Sequence, residues 1–279
     1  MSVTRLADLT WPDLEGRRPL VLLPLGSLEQ HGPHLPLDTD AAVAAAVAER
    51  AAARLAADTD VVLAPPQYYG ASGEHEGFPG TVSVGHTALR LLLTEAGRSL
   101  LRWAGRLLVV NGHGGNLAGL TDAVTGLRDE GRDTAWWPCV PPAGDAHAGR
   151  TETSLMLRLR PAAVQAGRAV AGVTDPVEAL MRRLVAETVR GVSPSGVLGD
   201  PAGAGAAEGE RLLDAMADRL AADARGWRVS QRGRLTTAQP SPAVRQAPSA
   251  PQSPAPPPSP TGLTAAAQAS PAARSGGGR

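Results

Sequence analysis

The chain has 279 residues, a hydrophobic content of 43% and a formal net charge of +0. This length allows one large domain or two small ones with a sizeable core. A neutral chain lacks the basic charge that nucleic acid or an anionic membrane attracts, so neither is expected as the main partner. No apolar run reaches the length of a membrane span, and the first residues lack the apolar segment of a signal peptide. The single cysteine, Cys139, cannot form an internal disulfide, and we expect a cytoplasmic protein.

A continuous apolar run from Leu20 to Leu23 is followed by five side chains that can bind a metal ion. The run predicts a strand buried on both faces of a parallel sheet and ending near Gly26. The possible ligands that follow are Glu29, His31, His34, Asp38 and Asp40. They should lie at the carboxyl edge of the strand, where open α/β sheets bind their ligands.

The spacing within this segment favours a metal site. Glu29 and His31 are two residues apart, so in extended backbone their side chains leave on the same side and can converge on one ion. Asp40 opens a predicted helix over 41–57, where free N–H groups and the helix dipole stabilise a carboxylate. Carboxylates and imidazoles without thiolates favour zinc, iron or manganese. Taken alone, the segment could also be a polar loop with a capping aspartate.

The middle of the chain predicts alternating strands and helices around one long loop. The predicted strands are 61–64, 107–110 and 134–139, and the predicted helices are 87–103 and 117–130. The loop over 65–85 contains both tyrosines and the only phenylalanine, and loops of this length are usually functional. We expect it either to form a wall of the substrate pocket, with Glu74 and His75 near the mouth, or to be a rigid surface loop.

A second group of polar residues follows the strand predicted at 107–110. It reads Asn111-Gly112-His113-Gly114-Gly115-Asn116, and its glycines let the backbone approach an ion closely. Two parallel strands that end in histidine-bearing loops face the same crevice.

A third group lies between Gly144 and Ser154. His147 and Glu152 are five residues apart across a loop-to-helix junction, with Thr151 as candidate N-cap and a helix predicted at 154–159. Further helices are predicted from Pro176 to about Arg190 and over 206–227, with a breaker-rich loop between them.

Together these motifs resemble the creatininase (creatinine amidohydrolase) family. They stand in the family's order, with a further motif that begins at His75 and continues through Phe78-Pro79-Gly80-Thr81. The resemblance implies a three-layer α/β/α fold with a mostly parallel central sheet over residues 1–230. Residues 231–279 are rich in Pro, Ala, Ser and Gly and are expected to be a disordered tail, with a proline-rich docking segment as the alternative.

The resemblance also implies two divalent metal ions per subunit, zinc and/or iron with manganese as a further option. Asp40 would bridge the ions, Glu29 and His113 would hold one, and His31 would hold the other. Founding members of the family carry a metal-binding glutamate where this chain has Gly115. We expect Glu152 to replace it. His147 is the expected general acid and base, with a third imidazole ligand as the alternative.

In the detail of its motifs the chain is most similar to the creatininase-like peptidases of mycofactocin maturation. That subgroup implies a modified precursor peptide as substrate and release of its cross-linked C-terminal Val-Tyr unit during redox-cofactor biosynthesis. The alternatives are a hydrolase of small cyclic amides or formamides and a metal-binding scaffold without turnover. The family also implies a homo-oligomer, often a hexamer.

Overall fold

Four parallel strands form the central sheet of the protein, which we describe from a computed structural model covering residues 3–141 and 144–237. The strands are β1 (Leu20–Leu25), β2 (Val61–Leu63), β3 (Arg106–Asn111) and β4 (Thr134–Pro138). Their order across the sheet is β2-β1-β3-β4, and every pair is parallel. All six residues of β1 are buried, which is why its sequence is a continuous apolar run rather than an alternating one.

Helices cover both faces of this sheet. The helices are α1 (Thr39–Leu55), α2 (Gly85–Leu100), α3 (Leu117–Asp129), α4 (Arg150–Leu159), α5 (Val177–Val192) and α6 (Ala206–Gly226). Alternate strand residues face opposite layers, so Leu22 packs with α1, α4 and α6, whereas Val21 packs with α2 and α3. The predicted three-layer α/β/α fold is therefore confirmed.

One helix begins earlier than the sequence predicts. α4 starts at Arg150 rather than at 154, and the prediction that Thr151 is its N-cap is wrong. The N-cap is Gly149, and the carboxylate of Asp145, further back in the loop, accepts the backbone N–H groups of Arg150 and Thr151, the latter at 3.0 Å. This earlier start brings Glu152 into the first turn of the helix, as predicted.

The order of the strands decides where the site forms. The chain passes from β1 to β2 on one side and then returns to place β3 on the other side of β1. This reversal leaves a crevice between the loops that follow β1 and β3, the usual ligand position in open α/β sheets. Two of the three metal-ligand motifs follow those two strands.

The packed chain continues beyond α6. The N–H of Leu235 donates to the Trp136 carbonyl at 2.9 Å, and Leu235 is buried. Most of the predicted tail, from residue 238 onward, lies outside the described residues, and the boundary at 230 stays a prediction. Among the described helices, none combines the length and apolarity that crossing a membrane requires.

Candidate metal centre

Asp40 lies at the centre of the candidate site, as the second residue of α1. Its Oδ2 accepts a hydrogen bond from the Ser27 hydroxyl at 2.6 Å. His31 Nε2 lies 3.1 Å from Oδ1, and His113 Nδ1 lies 3.3 Å from Oδ2. One carboxylate therefore faces imidazoles from both strand-end loops, one on each oxygen.

Three overlapping sets of side chains are arranged closely enough to hold a metal ion. Within each set, one possible ligand atom per residue lies within 4.8 Å of the others. The sets are Glu29, Asp40 and His113; His31, Asp40 and Glu152; and Glu29, His31 and His147. The structure thus brings together the six residues to which the sequence analysis gave a metal-binding or proton-transfer role. Glu29, His31 and Asp40 each belong to two of the three sets, and Asp40 joins the set of His113 to the set of Glu152.

Glu29 supplies a direct test of whether this cluster fits a cation. Its side chain is fully buried, and both carboxylate oxygens lack a hydrogen-bond partner. His113 Nε2 and His75 Nε2 lie 3.2 and 3.3 Å from them, but neither contact has hydrogen-bond geometry. A buried carboxylate left unpaired is costly, and a bound cation supplies the missing partner. The donor set of carboxylates and imidazoles fits zinc, iron or manganese.

The central pair of charges is strongly stabilised. Burial opposes ionisation of Asp40, but the neighbouring His31 and His113 outweigh it and hold the pKa of this carboxyl well below its usual range. Burial likewise opposes protonation of His31, but Asp40, with help from Glu152, raises the pKa of His31 to about 10. In the absence of a metal, His31 therefore carries the positive charge that neutralises Asp40.

Unlike Asp40, the two other carboxyl groups of the cluster, Glu29 and Glu152, have raised pKa values. Burial raises the pKa of Glu29 to about 7, partly offset by the charge of His113. Burial also raises the pKa of Glu152 to about 7, partly offset by His31. Glu152 Oε2 accepts the backbone N–H of Ala148 at 2.6 Å and lies 3.9 Å from His31 Nε2. Both groups are therefore much easier to protonate than Asp40.

His147 is buried beside this cluster in a defined orientation. Its Nε2–H donates to the Gln30 carbonyl at 2.8 Å, which leaves Nδ1 as the free nitrogen. Nδ1 lies 3.9 Å from Glu29 Oε1, and the ring centroid is 4.3 Å from that of His31. Burial, assisted by the charge of His31, lowers the pKa of His147 well below its usual value. The imidazole is therefore neutral and turns a lone pair toward the carboxylates.

The sequence did not identify Gln30 as a residue of the site, and it did not predict how deeply His75 lies. His75, expected at the pocket mouth, is instead buried against Glu29. The Gln30 side-chain amide lies 2.9 Å from His75 Nδ1 and 3.1 Å from His147 Nε2, and its oxygen accepts the Gly32 N–H. The place of Gln30 in the sequence between Glu29 and His31 could have indicated that it lies near the site. The orientation of its side chain, however, depends on the distant loops that carry His75 and His147.

Two of the five possible ligands after β1 turn away from the cluster. Asp38 forms a two-armed ion pair with Arg160, with N···O distances of 2.6 and 3.0 Å. His34 hydrogen-bonds the hydroxyl of Thr153 on α4 at 2.9 Å. His34 therefore connects α4 to the loop after β1 and belongs to none of the three ligand sets.

Asn116 connects the loop after β3 to the loops that contain Gly26 and Ala71. Asn116 donates from Nδ2 to the Gly26 carbonyl at 2.9 Å and accepts the Ala71 N–H on Oδ1 at 2.8 Å. Gly112 is needed for close approach, because a Cβ there would lie 2.5 Å from the Asp40 carbonyl oxygen. These contacts fix the spacing between the ends of β1 and β3.

A buried cluster of carboxylates and imidazoles at the carboxyl edge of a parallel sheet is an arrangement found in metal-dependent hydrolases. The chain belongs to one family of such hydrolases, the creatininase family. The family described as creatinine amidohydrolase matches residues 7–223. The resemblance noted in the sequence is therefore confirmed.

Two proteins and one solved structure of this family are similar to the chain to different degrees. The mycofactocin precursor peptide peptidase of Mycolicibacterium smegmatis is 52% identical over 233 residues, which cover 83% of this chain and 94% of that protein. The creatinine amidohydrolase of Pseudomonas putida is 32% identical over 199 residues, covering 59% of this chain and 75% of that protein. A solved structure named creatininase Mn matches with a TM-score of 0.65 at 26% identity, over 81% of this chain and 98% of that one.

Proposed function

We propose that the chain is a dinuclear metal-dependent peptidase of the modified mycofactocin precursor peptide, releasing its cross-linked C-terminal Val-Tyr unit. The unpaired, fully buried carboxylate of Glu29 supports the metal dependence. The substrate assignment is supported by the 52% identity to a protein named for that activity, which extends over nearly its whole length.

The residues divide into two ligand sets that share Asp40. Glu29 and His113 would hold one ion, and His31 and Glu152 the other. Two bound divalent cations would polarise the amide carbonyl and lower the pKa of water. The protein fixes the ligands before substrate arrives, because Asp40 is held by Ser27 and Glu152 by the Ala148 N–H. Zinc, iron and manganese all suit this donor set, and the cytoplasmic location and the homo-oligomer are further predictions.

His147 is assigned the proton transfers. Its free Nδ1 would take a proton from the attacking water and deliver it to the nitrogen of the breaking amide bond, so that the products are a carboxylic acid and an amine. The hydrogen bond from Nε2 to the Gln30 carbonyl keeps the ring in the required orientation and stabilises the imidazolium formed in between. The alternative, in which Nδ1 binds a cation, uses the same atom.

A small-molecule amidohydrolase is the second candidate. It is favoured by the 32% identity to a creatinine amidohydrolase, but that match covers only 59% of this chain. A peptidase needs an open groove beside the metals, whereas a hydrolase of a small cyclic amide needs a closed pocket.

The experiment that tests the proposal is mass spectrometry of the modified precursor peptide after incubation with metal-loaded protein. A chelated sample and a His147→Ala variant serve as controls, with creatinine and a formamide as competing substrates. We expect metal-dependent release of a C-terminal dipeptide-sized fragment and no release by the variant. An intact peptide beside hydrolysis of creatinine or the formamide would move the function to the second candidate.

The metal content of His147→Ala separates its two possible roles. A variant that keeps both ions but loses hydrolysis supports proton transfer. A variant that loses an ion supports the role of ligand.

A further inference from the structure

Gly115 stands where the founding creatininases carry a metal-binding glutamate, and another side chain fills the space above it. A Cβ on Gly115 would lie 2.3 Å from Glu74 Oε1 and 2.3 Å from His113 Nε2. It would also lie 2.5 Å from the Ala71 carbonyl oxygen. Real Cβ atoms do not approach other atoms so closely, so even alanine would displace its neighbours. The carboxylate of Glu74 therefore takes a volume that only glycine at position 115 leaves free.

The surroundings of His113 identify which of its nitrogens carries hydrogen. Nε2 lies 3.2 Å from the Ala71 carbonyl oxygen, 3.2 Å from Glu29 Oε2 and 3.3 Å from Glu74 Oε1. A carbonyl oxygen can only accept, so the nitrogen that faces it must be a donor. The other nitrogen, Nδ1, lies 3.3 Å from Asp40 Oδ2. Nδ1 is therefore the nitrogen that can bind a cation shared with Asp40.

We propose that Glu74 is a positioning residue for this metal centre. Its carboxylate faces Nε2 of His113 at 3.3 Å, beside the Ala71 carbonyl that accepts the Nε2–H, and so keeps Nδ1 directed toward Asp40 and the ion that Asp40 would bind. A carboxylate behind a metal-bound histidine fixes the ring and makes the ligand nitrogen more basic. The inference rests on the proposed function, since it requires a bound cation. It also gives Gly115 a role, because a larger residue there would displace the Glu74 carboxylate.

The position of Glu74 suits this role and makes it testable. It lies in the short 3₁₀ turn Gly73–His75, and its side chain is 34% exposed, so its removal leaves no large internal cavity. Glu76, two residues further along the same loop, is exposed and provides a matched control.

The test is a zinc titration of the full chain by isothermal calorimetry, comparing wild type, Glu74→Ala, Glu74→Gln and Glu76→Ala. In Glu74→Ala we expect one of two sites to weaken by about 10–100-fold, the usual effect of removing a partner behind a metal ligand. Glu74→Gln should retain most of the affinity, because its amide oxygen can still face the Nε2–H. Glu76→Ala should bind as wild type does. Gly115→Ala should weaken the same site as Glu74→Ala.

Each result bears on a different claim. Unchanged zinc affinity in Glu74→Ala, or equal losses in the alanine and glutamine variants, would overturn the positioning role. A wild-type protein that binds no divalent ion would instead overturn the proposed function, whatever the variants do. Long-range ¹H–¹⁵N NMR of the zinc-loaded protein gives an independent readout: it should show hydrogen on His113 Nε2, and hydrogen on Nδ1 would contradict the inference.

Discussion

The ion-pair network between α1 and α6 and the buried cluster around Asp40 differ in which positively charged side chains face their carboxylates. Between α1 and α6, Arg50 and Arg54 reach Glu210, Asp214 and Asp218 with N···O distances from 2.5 to 2.9 Å. This surface network pairs each carboxylate directly with a guanidinium. The cluster around Asp40 is largely buried, the side chains that can bring positive charge to its carboxylates are imidazoles rather than guanidinium groups, and Glu29 has no hydrogen-bond partner on either oxygen.

The contrast shows which group requires an external cation. Exposed ion pairs are matched by arginine, remain hydrated and contribute little individually. Buried carboxylates lose their hydration and need charge or hydrogen bonds in return. The surface network is complete with its own residues, whereas the buried cluster becomes complete when metal ions bind. The following three substitutions test that distinction.

Asp40→Asn should have the largest effect. The amide keeps the size of the side chain but removes the charge that both ligand sets share, so we expect loss of both ions and a fall in hydrolysis of about a thousandfold or more. Elemental analysis by mass spectrometry and a peptide cleavage assay would measure the two effects. Asp214→Asn in the surface network is the matched control and should keep both ions. Full metal content in Asp40→Asn would remove the basis for a shared bridge.

Glu152→Gln should have an intermediate effect. Glu152 belongs to the set containing His31 but not to the set containing His113, so we expect the protein to retain one ion per subunit instead of two. The same elemental analysis applies, with Glu208→Gln as control because Glu208 pairs with Arg150 outside the cluster. If Glu152→Gln still holds two ions, this glutamate does not replace the one missing at Gly115.

Arg54→Ala should have the smallest effect. It removes two partly exposed ion pairs, and we expect a loss of about 1 kcal/mol in the free energy of unfolding, a decrease of roughly 2–4 °C in Tm for a domain of this size. Differential scanning calorimetry would measure it. Metal content and hydrolysis should equal those of wild type, and a loss of metal would show that the two charged groups are coupled.

The sequence alone predicted those features of the fold and of the site that depend on the local pattern of residues. Apolar runs identified all four strands, because a strand buried on both faces needs apolar residues at consecutive positions. The position of Glu29, His31 and His113 just after two of those strands predicted that they would meet. Glu152 was found through its place in a family motif, although α4 begins four residues earlier than predicted.

The partners of those ligands were decided by the tertiary structure alone. Gln30 meets His147 across 117 residues of sequence, and His75 meets Glu29 through a loop whose path has no repeating pattern. Glu74 reaches His113 because Gly115 leaves room, which is a matter of three chain segments packing together. Local sequence determines which residues stand at the edge of the sheet. The loops that pack over that edge determine which atoms face one another, because those contacts depend on segments distant in sequence.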